Sequence, residues 1–265
     1  MDYFFYVQTN NTLFVTFTLC NSLRLIAIIM SRPYFSFKQF TIFHDKCAMK
    51  VGTDGVLLGA WTATDNNCSR ILDIGTGSGL IAIMLAQRTN AQIVGIDIDS
   101  QAVSQATENA IHTPWAARLH FLQENVLDFT SNNLFDLIVC NPPFYANALQ
   151  SPVEARTLAR HSSALPLDKL IEKAAQLLTN NGTFSLILPS TNADNAVMQA
   201  WTCELNLQRK CLVAAKPALP PKRTLLAFGK GNAKVPSSQR LNIRNADGSY
   251  SEEYVSLTRP YYLNL

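Results

Sequence analysis

The chain lacks the cysteine and histidine patterns that mark metal sites and disulfide-stabilised folds. Its six cysteines are scattered, with no Cys-x-x-Cys pair and no Cys/His cluster. We therefore expect no structural zinc, and reduced thiols of a cytoplasmic protein are the simpler interpretation. The four histidines form no recognisable catalytic constellation. We expect neither a bound metal nor a histidine-activated nucleophile.

The chain also has little net charge and no long apolar run. Lysine and arginine number 22 and acidic residues 19, which gives a formal net charge of +3. This mild basicity permits a nucleic-acid partner but does not require one. The apolar stretch that begins at Leu13 is interrupted by Asn21 and Arg24. It falls short of the roughly 20 apolar residues that a membrane-spanning helix needs, so we expect no membrane association.

The first thirty residues differ in composition from the rest of the chain. Residues 1–29 contain no glycine and no proline, and they lack the positively charged start and the cleavage site of a signal peptide. Met30-Ser31-Arg32 is an ordinary beginning for a soluble protein. We predict that residues 1–30 are a non-native or disordered extension, with a membrane anchor as the alternative. Residues 31–265 are predicted to form a single domain.

From about residue 50 onward, strand-like and helix-like segments alternate. The predicted strands are 70–74, 92–96, 119–122, 135–140, 183–188, 206–214 and 224–228. The predicted helices are 80–87, 101–110, 167–178 and 193–203, with Ser100 as an N-cap and Asn180-Asn181-Gly182 as a C-cap. The alternation predicts an α/β fold with a mostly parallel seven-stranded sheet, helices on both faces and an antiparallel carboxyl-terminal edge.

Three polar residues fall at the carboxyl ends of predicted strands. They are Asp73, Asp97 and Asn141. In open parallel sheets, ligands bind beyond these strand ends, near the point where the strand order reverses. We therefore expect the three side chains to share one site.

Three glycines alternate between the first of these strands and its helix. Gly75, Gly77 and Gly79 let the backbone pass close to a ligand and tolerate positive φ. A dinucleotide fingerprint would require glycine at position 80, which is leucine. Asp97 lies about 20 residues farther on, where an acidic residue binds ribose hydroxyls, with Asp99 as the alternative. The turn alone is a weak signal, and Asp97 alone could merely cap a helix.

The most informative motif is the corner Asn141-Pro142-Pro143-Phe144 after an apolar strand. The amide oxygen of Asn141 and the carbonyl of Pro142 can accept the two protons of an exocyclic amine. The prolines remove backbone donors that would compete for those acceptors. Phe144 is expected to stack on a flat substrate, although it could instead be a core aromatic that closes the strand end. Together with the glycine turn, which looks like a cofactor loop, the corner indicates an enzyme that methylates nitrogen.

The alternating glycines resemble motif I of class I S-adenosylmethionine-dependent methyltransferases. This resemblance implies a Rossmann-like fold with S-adenosylmethionine as the cofactor. It implies that Asp73 holds the cofactor's ammonium group, directly or through water. Asn125 stands where the family usually has an acidic residue that contacts the adenine of the cofactor.

A longer resemblance narrows the substrate. The run Met49-Lys50-Val51-Gly52-Thr53-Asp54-Gly55 is similar to the start of the bacterial tRNA1(Val) (adenine-37-N6)-methyltransferase family, as are the corner, residues 223–228 and residues 250–254. The resemblance implies N6-methylation of adenine 37 in a valine tRNA by a cytoplasmic enzyme. It places Thr53 and Asp54 on the cofactor side of the site. A monomer is favoured, and the basic groups of residues 144–165 and of Lys216–Arg223 are candidate phosphate contacts or ordinary surface.

Related enzymes use the same corner on other amines. Guanine-N2 rRNA methyltransferases can carry Asn-Pro-Pro-Phe, usually behind a large duplicate domain that this chain does not have. Glutamine N5-methyltransferases carry Asn-Pro-Pro-Tyr behind a helical domain that does not fit before Lys38. A catalytically silent RNA-binding module would be expected to have lost the glycine turn or the corner. Guanine N2 is the main alternative, because Phe144 does not separate guanine from adenine.

Overall fold

The computed structural model describes residues 33–65, 67–143, 165–231 and 235–264, and the backbone alone of residues 6–9, 12–15 and 28–30. The latter three segments, β1 (Tyr6–Thr9), β2 (Thr12–Val15) and β3 (Ile28–Met30), pair antiparallel in a small sheet. The division of the chain into residues 1–30 and 31–265 stays a prediction.

A central sheet carries the rest of the described fold. Its eight strands pair in the order β13-β11-β12-β10-β9-β6-β7-β8. A separate hairpin precedes it, made of β4 (Tyr34–Ser36) and β5 (Thr41–Phe43). The strands of the central sheet are β6 (Arg70–Ile74), β7 (Gln92–Asp97), β8 (Leu119–Gln123), β9 (Phe135–Cys140), β10 (Leu178–Pro189), β11 (Asn206–Ala214), β12 (Arg223–Gly229) and β13 (Ser237–Asn242).

Helices occupy most of the connections between these strands. A short 3-10 turn at Ala116–Arg118 precedes β8, and another at Ser190–Asn192 precedes the helix that begins at Ala193. The α-helices in the described part of the chain are α1 (Thr53–Trp61), α2 (Leu80–Ala86), α3 (Ser100–Ile111), α4 (Leu167–Leu177), α5 (Ala193–Thr202) and α6 (Glu252–Thr258).

Alternating side chains of the strands face two hydrophobic cores. Ile71 and Val139 belong to the core that includes α1 and α2, whereas Leu72 and Ile138 belong to the core that includes α4 and α5. Neighbouring residues point to opposite faces because the side-chain period of a strand is two. The two cores confirm the predicted layering, with helices on both faces of a buried sheet.

The order of the strands reverses between β6 and β9. From β6 the chain adds β7 and then β8 on one side, and it returns to place β9 and β10 on the other. All five strands are parallel, so their carboxyl ends lie at one side of the sheet, which we call the carboxyl rim. A crevice at this reversal is where open α/β sheets bind ligands.

The sheet is larger than the predicted seven strands. The antiparallel pairing of β11 with β12 is as predicted, but β13 adds to β11 in parallel and forms the outer edge. Its sequence, Ser237-Ser238-Gln239-Arg240-Leu241-Asn242, is almost entirely polar and largely exposed. A strand with one buried side chain shows no alternating apolar pattern, which is why it was not predicted.

Two predicted helix caps were wrong. The N-cap of α3 is Asp99, whose side chain accepts a hydrogen bond from the Gln101 N–H at 2.9 Å, while Ser100 is the first helical residue. Residues 180–182 do not cap α4, because β10 already begins at Leu178. The pairing of β10 with β9 shifts between Leu178 and Thr183. A Cβ atom at Gly182 would lie 3.0 Å from the Phe135 carbonyl oxygen, so this glycine serves a bulge.

Candidate active site

The structure brings the glycine turn, Asp97 and Asn141 together at the carboxyl rim. Ile74, the last residue of β6, pairs with Ile96 of β7 on one side and with Cys140 of β9 on the other. The residues that follow these partners are Asp97 and Asn141. The glycine turn, the acidic strand end and the corner therefore lie side by side at the reversal of strand order.

The glycine turn needs its glycines for different reasons. Gly75, Gly77 and Gly79 have φ angles of 67°, 54° and 79°, values that side-chain-bearing residues rarely adopt. A Cβ atom at either of the first two would meet nothing within 4 Å. At Gly79 it would lie 3.1 Å from the Cβ of Ala106. The first two glycines leave open space for a ligand, and the third lets α2 pack closely.

Asp73 lies beneath this turn and is fully buried. Its Oδ2 accepts hydrogen bonds from the Thr76 hydroxyl at 2.8 Å and the Ala82 N–H at 3.2 Å. Its Oδ1 is buried without a hydrogen-bond partner among the described residues. Burial raises the pKa of this carboxyl to about 7, although the two hydrogen bonds lower it. An unpaired buried carboxylate oxygen is costly, and it fits a cationic group or a bound water.

Asp97 is half-buried and held by the backbone at both oxygens. The Gly77 N–H donates to Oδ2 at 2.9 Å, and the Asp99 N–H donates to Oδ1 at 3.0 Å. Burial raises its pKa, and these hydrogen bonds oppose that shift. Each oxygen retains a further lone pair that can accept from a ligand hydroxyl. Asp99 is already engaged as the N-cap of α3, which favours Asp97 over Asp99 as the ligand.

Asn125 follows β8 at the same rim. Its side-chain oxygen accepts a hydrogen bond from the Leu127 N–H at 3.1 Å, which forms a local turn. Its backbone carbonyl accepts from Asp128 and Phe129. Within the described residues the side-chain nitrogen has no hydrogen-bond partner, so it can donate to an acceptor such as a ring nitrogen.

The corner lies against the first turn of α1. Asn141 is half-buried, and its side chain has no hydrogen-bond partner in the part of the chain that the structure describes. A Cβ atom at Gly55 would lie 4.0 Å from its Nδ2 atom. Pro142 is buried. Phe144 lies outside the described residues, as do Arg156, Arg160 and His161, so the roles expected of these residues stay predictions.

The two predicted residues at the start of α1 differ in their surroundings. Thr53 is exposed as the first helical residue. The Oδ2 atom of Asp54 accepts a hydrogen bond from Arg223 Nε at 2.7 Å. This ion pair joins α1 to the first residue of β12 beside the corner. The carboxylate of Asp54 therefore has a protein partner, and a contact with a cofactor stays a prediction.

Two buried amides of α3 complete the site and were not predicted. Asn109 donates to the carbonyls of Phe43 and Ser78, both at 2.8 Å, and accepts from the Phe43 N–H at 2.9 Å. Gln105 accepts from the Lys46 N–H at 3.1 Å. These bonds fasten β5 and the segment after it to α3, and Asn109 also joins α3 to the glycine turn through the Ser78 carbonyl. The signal was available, because both amides interrupt the alanine-rich buried face of an amphipathic helix.

The segment fastened in this way approaches the acidic strand end. Burial, followed by the negative charges of Asp97 and Asp99, raises the pKa of the Cys47 thiol to about 12. The segment around Cys47 therefore lies close enough to both carboxylates to feel their charge.

Neither a metal centre nor a membrane span is found in the described residues. Among them, no group of three or more histidine, cysteine or acidic residues could hold a metal ion. None of the helices in those ranges is long and apolar enough to cross a membrane.

Comparisons with known proteins agree with this geometry. Residues 51–208 match the methyltransferase small domain. The chain is 48% identical to the tRNA1(Val) (adenine(37)-N6)-methyltransferase of Phocaeicola vulgatus, over 89% of this chain and 100% of that protein. It is 46% identical to the enzyme of the same name from Bacteroides thetaiotaomicron, with the same coverage. A predicted O-methyltransferase from Agrobacterium tumefaciens shares the fold, with a TM-score of 0.63 and 17% identity over 80% of this chain and 100% of that chain.

Proposed function

We propose a function from the premise that this chain belongs to the tRNA1(Val) (adenine(37)-N6)-methyltransferase family. The enzyme transfers the methyl group of S-adenosylmethionine to N6 of adenine 37, beside the anticodon of tRNA1(Val). A tRNA-modifying enzyme acts where its substrate is, so we place it in the cytoplasm. The expected monomeric state stays a prediction that light scattering can check.

The cofactor's amino-acid end is assigned to the glycine turn. Asp73 offers a buried carboxylate oxygen without a partner among the described residues, which suits an ammonium group. Gly75 and Gly77 leave room for the ligand above it. We also assign Thr53 and Asp54 of α1 to this end of the cofactor. When bound, S-adenosylmethionine supplies an activated methyl group on a sulfonium.

The nucleoside end of the cofactor is assigned to the next two strand ends. Asp97 would accept hydrogen bonds from the ribose hydroxyls while Gly77 and Asp99 hold it in place. The side-chain nitrogen of Asn125 would donate to a ring nitrogen of the adenine. Asn109 and Gln105 would act indirectly, because they hold β5 and the segment after it against α3.

The corner supplies the chemistry on the substrate amine. An aromatic amine is a poor nucleophile, since its lone pair is delocalised into the ring. Acceptors at the Asn141 side chain and the Pro142 carbonyl would take its two protons and stabilise the positive charge that develops on nitrogen. They would also hold the amine in line with the methyl group. Adenine 37 must leave any stacked arrangement to enter, and Phe144 is assigned to stack on it.

One observation carries the proposal. The half-buried side chain of Asn141 has no hydrogen-bond partner among the described residues and stands beside the glycine turn, at the reversal of strand order. Because no described residue occupies its hydrogen-bonding groups, this amide keeps both its acceptor and its donors available to a substrate.

The decisive experiment is nucleoside mass spectrometry of an unmodified tRNA1(Val) transcript treated with the enzyme and S-adenosylmethionine. We expect N6-methyladenosine at position 37 and no product from a transcript with guanosine there. N2-methylguanosine in RNA, with adenine 37 untouched, would favour the guanine-N2 alternative instead. Cofactor binding without methylation of any RNA would support a silent module and contradict the proposal.

A further inference from the structure

Positive charge is concentrated in the carboxyl-terminal part of the sheet. Residues 206–250 contain nine lysine and arginine residues and a single acidic residue, Asp247. The remainder of the chain has 13 basic and 18 acidic residues. A molecule with a net charge of only +3 thus has a strongly basic end and a mildly acidic remainder, and such asymmetry orients a charged partner.

Most of this charge lies at the carboxyl rim. β12 runs antiparallel to β10, and β11 and β13 run opposite to β12, so β11 and β13 end at the rim and β12 begins there. The turn between β11 and β12 carries Lys216 and Lys222, and Arg244 follows β13. This is the side of the sheet on which the corner lies.

Hydrogen bonds hold the turn and the loop after β13 in defined positions. Arg240 donates to the carbonyls of Pro217 at 3.0 Å and Leu219 at 2.7 Å, which supports the turn. Arg244 donates to the Gly248 carbonyl at 2.6 Å, and its guanidinium lies 4.2 Å from the ring centroid of Tyr250. A cation held over an aromatic ring is positioned without losing its charge. We call Lys216, Lys222, Arg240, Arg244 and Tyr250 the basic edge.

Two of these cations are available to a partner. Lys222 and Arg244 are both exposed, and neither forms a salt bridge with an acidic residue in the described ranges. Asp247, the acidic residue of this region, is already bound by Ser249 through the backbone N–H at 2.9 Å and the hydroxyl at 2.7 Å. Arg223 differs from both, because it is paired with Asp54.

The spacing of the basic edge fits the size of a nucleic-acid stem. Four strand intervals separate β9, which carries the corner, from β13. At about 4.8 Å per interval this is roughly 19 Å, comparable to the width of a double helix. If the target base is held at the corner, phosphates of the adjacent stem would therefore lie over the basic edge.

We propose that the basic edge binds the sugar-phosphate backbone of the tRNA anticodon stem while the target base enters the corner. This inference rests on the proposed function. Phosphate contacts supply affinity and register without reading sequence, so the basic edge sets where the RNA lies and the corner sets which atom is methylated.

The test compares two double variants of the full-length protein that each lose two positive charges. Lys222→Gln/Arg244→Gln alters the basic edge. Lys173→Gln/Lys230→Gln is the matched control, on α4 and beyond the far end of β12. The second control substitution keeps a side-chain donor for the Leu178 carbonyl, to which Lys230 now donates at 2.8 Å. Binding to an unmodified tRNA1(Val) transcript is followed by fluorescence anisotropy with S-adenosylhomocysteine present, over a range of salt concentrations.

We expect the basic-edge variant to bind RNA at least about tenfold more weakly in about 0.1 M salt. Its plot of log affinity against log salt should lose about one unit of slope for each contact removed. The control should stay within about twofold of the wild type, and melting temperatures should match. Unchanged affinity and slope in the basic-edge variant, or an equal loss in the control, would overturn the proposal. Binding does not depend on turnover, so failure of the wild type to methylate RNA would count against the proposed function alone.

Discussion

The two ends of the carboxyl rim, one at β6, β7 and β9 and the other at β11, β12 and β13, differ in the chemical groups that they present and in the ligand that each is proposed to bind. Around β6, β7 and β9 the site is built from backbone N–H groups, glycines and carboxylates that are buried or half-buried. Around β11, β12 and β13 it is built from lysine and arginine side chains that are mostly exposed, on β13 and on the connections that flank these strands. A small cofactor needs a site of fixed geometry, whereas a large polyanion can bind to an open surface. The comparison predicts that changes at one end leave the function of the other intact.

The largest effect is expected at the corner between the two ends. Asn141→Ala should lower kcat by about 100- to 1,000-fold, the usual loss when one group that stabilises transition-state charge is removed. Affinities for S-adenosylmethionine and tRNA should stay within a few-fold of the wild type. Asn133→Ala, at the exposed turn before the same strand, is the matched control. Normal turnover by the Asn141 variant would refute the amine-binding role.

A substitution at the cofactor end should weaken cofactor binding and leave RNA binding unchanged. Asp97→Ala removes an acceptor for two hydroxyls and should weaken S-adenosylmethionine binding about 10- to 100-fold in calorimetry. Asp128→Ala, an exposed carboxylate near the same rim, serves as the control. Unchanged cofactor affinity in the Asp97 variant would move the assignment to Asp99.

The buried carboxylate of Asp73 should make cofactor binding depend on pH. Its pKa is about 7, and an ammonium group binds only the ionised form. Affinity should therefore be lost as the pH falls through about 7, with roughly tenfold weaker binding at pH 6 than at pH 8. Asp73→Asn should bind weakly at both values. An equal pH dependence in wild type and variant would exclude Asp73 as its source.

Stability of the cofactor-free protein should show the opposite trend. The folded-state pKa of Asp73 is raised above the unfolded value of about 3.9. The folded state therefore holds this proton more tightly, and the free energy of unfolding should decrease as the pH rises from about 4 to 7. Denaturant unfolding of wild type and Asp73→Asn across this pH range isolates the contribution of Asp73 to the pH dependence of the free energy of unfolding. This contribution should be absent in the variant.

The smallest effect is expected where the two ends touch. The Asp54–Arg223 pair joins α1 to β12 at 2.7 Å, but both side chains are about one-third exposed. A double-mutant cycle with Asp54→Asn and Arg223→Gln should give a coupling free energy of about 0.2–1 kcal/mol in thermal or denaturant unfolding. A coupling of several kcal/mol would mean that the two ends form one cooperative unit, contrary to the comparison.

The sequence predicted the cofactor end better than the carboxyl-terminal end. Asp73, Asp97 and Asn141 were placed together because parallel strands that read as apolar runs bring their carboxyl ends to one rim. Ser237–Asn242 was missed because a polar outer strand has no alternation. Helix α1 was missed by pattern because seven of its nine residues are buried, which leaves no polar face.

The misplaced caps and the missed amides have a common physical origin. Asp99 and Ser100 are both good N-caps, and only backbone geometry decides between them. Gly182 could end a helix or permit a bulge, and the approach of the Phe135 carbonyl decides that. Asn109 bonds with Phe43, 66 residues away. Such long-range partners are not encoded in local spacing.

The most direct test of the central claim is a binding cycle between Asn141 and the amine itself. Anticodon stem-loops with adenosine or with purine riboside, which lacks the amine, at position 37 are titrated with wild type and Asn141→Ala in S-adenosylhomocysteine. The account predicts that the wild type prefers adenosine and that the variant does not, with a coupling of about 0.5–1 kcal/mol. Equal preference in both proteins would show that Asn141 does not hold the amine.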